Sequence, residues 1–370
     1  MAGHLDGRFS VKLSSYLELK RRELLAEPEL APAALRAIER QYLFDPREDE
    51  RRQGEVRRHY EAEIRPIFEG RPLQGIERLY RRSLIVEPTM LCAAHCRWCI
   101  RGQYEPFHLP DSEFERIARW VGTAAENRDI REVLITGGDP LTGVKRLRLL
   151  VEALFRHAPQ VALIRVGTRV PLQAPRLVDE RLSELLRDFS ERMEIGLHVN
   201  HPAELFSEVV EACARIRATG VRVYNQSVLL RGLNDDIETL SELGEALRRL
   251  HIEMHYLFHA VPLRGMRHHR TSVARGLDLV RQLTSSGSVS GRAKPIFTLL
   301  TDVGKVTPYE GTILERRGQN VLLQSYYSMK DRLSFSPAWR LPSSAQVDEH
   351  GHLQVWYEDA PDDTTLASPG

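Results

Sequence analysis

Short β-branched, apolar runs recur along this chain at Leu84–Glu87, Glu132–Thr136, Val161–Gly167, Met193–Val199, Val221–Leu229 and Met254–Ala260. Between them lie stretches with helical periodicity, among them SEFERIARWVGTAAE, VKRLRLLVEALFRH and DDIETLSELGEALRRL. The run-to-run spacing is mostly about 30 residues, the length of a βαβ unit. Parallel strands require such a crossover. Six units in series therefore predict an α/β fold whose parallel sheet curls into a full or partial βα barrel. A seventh apolar run, Pro295–Leu300, follows one more helix, SVARGLDLVRQL. An open doubly wound sheet is the rival, and the lack of G-x-G-x-x-G after the first run weakens its dinucleotide-binding version. Residues 1–80 read as a helical N-terminal extension, with SSYLELKRRELLAE and EVRRHYEAEIRPIFEG as helices. These helices are a candidate surface for homo-oligomer formation. Beyond Arg340 there is no Lys or Arg. Residues 336–370 read as an irregular, partly flexible tail, with a short strand pair allowed around HLQVWYE.

With 52 basic and 51 acidic residues the net charge is +1, so no electrostatic argument favours a nucleic acid or a membrane surface as partner. No apolar run approaches the ~18 residues of a membrane span. The N-terminal stretch MAGHLDGRFSVKL has no apolar h-region of a secretory signal. Four cysteines exclude a disulfide scaffold, and a reducing cytoplasm is the expected location.

Three of those cysteines, Cys92, Cys96 and Cys99, sit in LCAAHCRWCIRG, the loop after the first run. Cys213 stands alone among Val209, Val210 and Ile216 at helical spacing, as a buried helix position would. The trio reads C-x3-C-x2-C at the C-terminal mouth, where βα barrels place their sites. Three thiolates on one loop suit three irons of a four-iron cube, with the fourth iron open to a small chelating ligand. A zinc site remains an alternative, but zinc takes four ligands and His95 or a distant His would have to complete them. Three buried structural cysteines are the other alternative. One βα unit later comes ITGGDPLTG. Gly137 and Gly138 there allow close backbone approach to a ligand, and Asp139 suits an ammonium. Alone this segment is an ordinary βα turn.

The cysteine spacing resembles that of the radical S-adenosylmethionine (SAM) superfamily. IRVGTRVP, GLHVNHPAE, EACARIRATG, NQSVLLRGLNDD and MRHHRTSVARG resemble the lysine 2,3-aminomutase family, over roughly residues 76 to 330. The resemblance implies a radical SAM core over 81–265 and a cofactor and substrate segment over 266–335. It also implies a [4Fe-4S] cluster on the three cysteines, SAM on the open iron, pyridoxal phosphate (PLP), and a flavodoxin- or ferredoxin-type electron donor. The implied reaction is a 1,2-amino shift on an amino-acid-like small molecule, begun by a 5′-deoxyadenosyl radical. Carried over by position, Gly137, Gly138 and Asp139 bind the SAM amino group and Trp98 lies by the adenine. His198 and Gln226 contact SAM, and Arg101 clamps the substrate carboxylate. Tyr80 matches a family tyrosine near PLP, and Lys305 in FTLLTDVGKVTPYEG is the PLP lysine. The family's phosphate-binding arginine falls at Ser83, so Arg82 or Arg81 is the substitute. The two aspartates that lysine-specific members use fall at Val261 and Leu300, which cannot offset desolvation of an ammonium. The expected enzyme is thus a PLP-dependent 2,3-aminomutase with a non-lysine substrate. The alternatives are a PLP-independent radical epimerase, desaturase or lyase, and a non-catalytic zinc-stabilised scaffold. His251, His255 and His259 sit at intervals of four and invite a metal reading, against packing as the bland one; His259 is expected to face the mouth.

Overall fold

In the computed structural model, which describes residues 9–49, 65–102, 107–285 and 294–361, all seven apolar runs are strands of one sheet. The described chain opens with helices α1 (Ser15–Ala26) and α2 (Pro32–Tyr42). A hairpin of β1 (Ile67–Phe68) and β2 (Arg71–Pro72) follows, then β3 (Ile76–Glu77). The βα series then runs β4 (Ser83–Thr89), α3 (Asp111–Thr123), β5 (Glu132–Gly137), α4 (Val144–His157), β6 (Leu163–Thr168), α5 (Val170–Gln173), α6 (Glu180–Asp188) and β7 (Met193–Leu197). It continues α7 (Ser207–Ala218), β8 (Arg222–Leu229), α8 (Ile237–Arg249), β9 (Glu253–His259), α9 (Val273–Ser285) and β10 (Ile296–Thr301). Every consecutive pair from β4 to β10 is parallel.

Antiparallel strands close both ends of this array: β3 on β4, and β11 (Gly304–Val306) on β10. These two strands are the edges of the nine-stranded sheet, so the barrel is partial. Side chains tie the edges across the gap. The Lys305 N–H donates to Tyr80 Oη at 3.1 Å, and Tyr327 Oη donates to the Lys305 carbonyl at 2.8 Å.

The outer face of the parallel strands is apolar and covered by helices. Leu84, Val86, Val133, Ile135, Ile164, Val166, Ile195 and Leu197 are all buried. Helices α3 and α4 offer the matching stripes: Phe114, Ile117 and Val121, then Leu147, Leu150, Val151 and Leu154. Asp179 and Asp236 cap α6 and α8 through the N–H groups of Leu182 and Thr239.

Three regions depart from expectation. The N-terminal helices lie against the barrel: Leu17, Ala37, Ile38 and Tyr42 join one core with Ala94, Trp98, Val228 and Phe258. Leu17 is the buried residue of α1, while Leu19 and Leu25 of that helix stay exposed. The segment from Ile67 to Gly70, expected to end a helix, belongs to the β1–β2 hairpin. Pro66 and Pro72 oppose a helix, and Glu69 and Gly70 both take the left-handed conformation of a tight two-residue turn. Residues 55–64 of the expected helix lie outside the described residues. Most of the tail is ordered. β12 (Ile313–Arg317), β13 (Asn320–Ser328), α10 (Met329–Phe335), β14 (Ala345–Val347) and β15 (His352–Glu358) follow, the strands forming an antiparallel sheet ordered β12-β13-β15-β14. Leu353, Val355 and Tyr357 alternate inward along β15, and Trp339 is fully buried beneath them. The boundary expected at residue 335 thus runs between paired strands, β13 and β15. Residues 362–370 lie outside the description. Among the described residues no helix is long and apolar enough to cross a membrane.

Candidate active site

A cavity of about 810 Å³ opens at the C-terminal ends of the strands. Cys92, Cys96, Cys99, His198, Gln226 and Lys305 all line it. The volume and position suit a small-molecule site.

The cysteines are free thiols on the loop after β4. Burial pushes Cys92 and Cys99 up and Cys96 to about 12, and the neighbouring sulfurs raise Cys92 and Cys96 further. Such thiols become thiolates only when cationic metal compensates them. Among the described residues no three His, Cys, Asp or Glu side chains converge on one ion. A four-iron cube takes one thiolate per iron, whereas zinc needs its ligands around a single centre. Three thiols on one loop thus suit a four-iron cube, one thiolate to each of three irons. The N-terminal segment fixes the loop. Phe9 stacks on His95 with ring centroids 4.9 Å apart. The His95 N–H donates to the Lys12 carbonyl at 2.9 Å, and the Arg97 N–H to that of Gln41 at 2.8 Å.

Gly137 and Gly138 support the same loop from beneath. The N–H groups of Gly138 and Asp139 donate to the carbonyls of Thr89 and Leu91 at 2.7 and 2.8 Å. A Cβ on Gly138 would sit 2.3 Å from Leu91 O, and one on Gly137 2.6 Å from Thr89 O. The close approach that demands glycine is thus to the cysteine loop, although both glycines also line the cavity. Asp139 departs from the expected ammonium role. Its buried carboxylate accepts from the N–H groups of Leu141, Arg169 and Val170 at 3.1, 2.6 and 3.0 Å, and from Thr168 Oγ1 at 2.8 Å. Burial raises its pKa to about 6. It clamps the start of α5.

Trp98 donates its indole N–H to Gln41 Oε1 at 3.1 Å, and its ring stacks against His198 at 6.3 Å. Burial and the nearby Arg169 charge push His198 down to about 3, so the ring is neutral. Gln226 Nε2 donates to His198 Nε2 at 2.9 Å, which leaves the ring proton on Nδ1. That buried Nδ1 has no partner. It is a donor held ready for a polar atom of a bound ligand, and so fits SAM.

The substrate end is assembled differently from expectation. Arg101 lines the cavity, but its guanidinium is bound by Glu87 and lies 3.9 Å from Glu77. Arg82 is exposed, does not line the cavity, and its carbonyl accepts from the N–H groups of Arg131 and Glu132. Arg81 pairs with Asp129 and Asp331 outside the cavity. The neighbouring Tyr80 and Ser83 do line it. Lys305 extends from β11, opposite Leu300 of β10. Its ammonium lies 4.4 Å from the Tyr256 ring centroid and 5.2 Å from that of Phe258. Burial, then the Arg165 charge, push its pKa down to about 8. Val261 and Leu300 line the same end. His259 borders the cavity but both ring nitrogens are engaged, with Tyr357 Oη and the Thr271 carbonyl at 2.8 Å each. His255 packs edge-on against Tyr224 at 5.2 Å, whereas His251 is exposed.

Several contributors were not singled out from the sequence. Arg169 reaches Tyr42 and Glu204 at 2.7 and 2.5 Å and lies over the Trp98 ring at 5.0 Å. Its place inside IRVGTRVP was the available signal. Gln41, buried on α2, had none.

The Radical SAM superfamily model matches residues 86–244. The chain is 33% identical over 258 residues to a putative L-lysine 2,3-aminomutase of Aquifex aeolicus, covering 69% of each protein. It is 30% identical over 232 residues to the L-lysine 2,3-aminomutase of Fusobacterium nucleatum, covering 62% of this chain and 54% of that one. It is 30% identical over 269 residues to the glutamate 2,3-aminomutase of Clostridioides difficile, covering 72% and 63%. The chain thus spans less than two thirds of the last two relatives.

Proposed function

Because the chain belongs to the lysine 2,3-aminomutase family of radical SAM enzymes, we propose that it moves an amino group between adjacent carbons of an amino acid whose side chain is small or uncharged. The observation that carries this reading is Lys305. Its amine stands in the same cavity as the three cysteines, beside Val261 and Leu300, with a pKa of about 8. A largely desolvated lysine is the chemistry needed to carry PLP. The apolar neighbours disfavour a charged substrate side chain.

Cys92, Cys96 and Cys99 would hold the [4Fe-4S] cluster. Cluster and SAM together supply a 5′-deoxyadenosyl radical when an electron donor, of flavodoxin or ferredoxin type, reduces the cluster. Trp98 and His198 would flank the nucleotide, with Gln226 setting the histidine tautomer. Gly137, Gly138 and the Asp139 backbone hold the cysteine loop in place.

The displaced Arg82 favours a second reading, in which the radical chemistry proceeds without PLP as an epimerase, desaturase or lyase. A phosphate dianion calls for charged donors, and the two cations nearest the expected position face away from the cavity. One experiment separates the readings. The anaerobically reconstituted protein is incubated with SAM, reductant, PLP and a pool of amino acids, then treated with borohydride. The aminomutase reading expects β-amino acids, deoxyadenosine and a pyridoxyl group on Lys305. Deoxyadenosine formation with no adduct, unchanged in Lys305→Ala, would replace it with the PLP-independent reading.

A further inference from the structure

Gln173 ends the one-turn helix α5 and lies against the cysteine loop, 2% exposed. Its Oε1 accepts the Ala94 backbone N–H at 3.3 Å, and its Nε2 donates to Cys96 Sγ at 3.3 Å. Only one orientation of the carboxamide satisfies both contacts. Flipped, its NH2 would face an N–H and its oxygen would face the sulfur lone pairs. The backbone around it is tied at three points. The Gln173 N–H donates to the Arg169 carbonyl at 2.9 Å, its own carbonyl accepts from Ser14 Oγ, and Asp139 holds the N–H groups of Arg169 and Val170. The Cys96 sulfur thus meets a buried donor that is aimed before any metal arrives.

We infer that Gln173 tunes the cluster: its amide N–H donates to the Cys96 thiolate once that sulfur ligates iron, and raises the potential at which the cluster accepts its electron. This rests on the reading that the trio holds a four-iron cluster. A hydrogen bond to a ligating sulfur draws negative charge from it. The reduced cluster carries one more negative charge than the oxidised one, so the bond stabilises the reduced state more. The residue does not touch the reacting atoms; it acts through Cys96.

The test uses the full-length, anaerobically reconstituted protein without SAM. Gln173→Met keeps length and volume and removes the donor. At iron and sulfide contents equal to the parent, potentiometric titration followed by EPR should show a lower midpoint. A tenfold change in the reduction equilibrium is expected, about 59 mV for a one-electron couple. An unshifted midpoint at full cluster content overturns the inference. The unmutated protein supplies a second measurement. With glutamine amides labelled with ¹⁵N, pulsed EPR of the reduced cluster should reveal a weak ¹⁵N coupling, and its absence likewise overturns the inference. If the Met variant fails to hold a cluster, the coupling in the parent decides. A parent protein that takes up no iron refutes the cluster reading itself, an outcome distinct from a loaded cluster with no coupling.

Discussion

Replacing Lys305 with methionine should stabilise the protein at neutral pH, and the size of the gain follows from its surroundings. In an unfolded chain the amine titrates near 10.5, and in the cavity near 8. Below pH 8 it is protonated in both states, and the folded state then carries a charge in a poorly solvated site. That depression corresponds to roughly 3 kcal/mol of lost stability. The unfolded chain binds more protons between the two values, so stability should rise as pH climbs from about 8 to 10.5 and then level off. Methionine nearly matches lysine in length and carries no charge, so Lys305→Met should recover most of that loss at pH 7 and little above pH 10.5. Urea unfolding of the cluster-free protein, followed by circular dichroism at pH 7 and pH 10.5, measures both differences. A variant no more stable than the parent at pH 7, or equally stabilised at both pH values, would refute the argument that burial depresses this amine. The parent keeps the costly residue, as expected of a site selected for chemistry over stability.

Replacing any one of Cys92, Cys96 or Cys99 with Ala should abolish SAM cleavage and lower reconstituted iron, whereas Cys213→Ala should leave both intact; iron analysis and deoxyadenosine chromatography check this. Asp139→Asn should turn an NH2 toward the N–H groups of Arg169 or Val170, cost about 1–3 kcal/mol, and loosen the cysteine loop; thermal unfolding and iron uptake should fall together. Trp339→Ala should cost about 3–5 kcal/mol, because a fully buried indole leaves a cavity beneath the C-terminal sheet. Wild-type stability in that variant, by urea titration, would show that the tail does not belong to the core.

The barrel was legible because its signal is local. Apolar runs at βαβ spacing and one-sided helices each state their own element, and right-handed crossovers leave few ways to join them. The cysteine trio was legible for the same reason: its three ligands lie within eight residues of one loop. Where the sequence reading erred locally, it weighted the wrong local signal. It read Glu69–Gly70 through the helical composition around it, and it read most of the tail as irregular from the absence of Lys and Arg, although the strand pair it allowed around HLQVWYE is β14 with β15.

The site's finer chemistry depends on contacts between residues far apart in the chain. Gly137 and Gly138 announced a close approach, but only packing shows that the partner is the backbone at Thr89 and Leu91. Arg82 sits next to Ser83, yet strand alternation turns one residue outward and the next toward the cavity. Asp139 and Arg101 kept their places and changed their work, because the groups they answer are the backbone N–H groups of Arg169 and Val170 in one case and the carboxylates of Glu77 and Glu87 in the other. Gln41 and Gln173 carried no sequence signal, since a glutamine gains its role only when a specific acceptor or sulfur is brought to it. The sequence by itself therefore determined the fold, and it pointed to the cysteine trio through spacing and to Lys305 through family resemblance. Charge, orientation and access at those residues were decided by the tertiary structure, because burial and partner geometry are set by segments that meet only after folding.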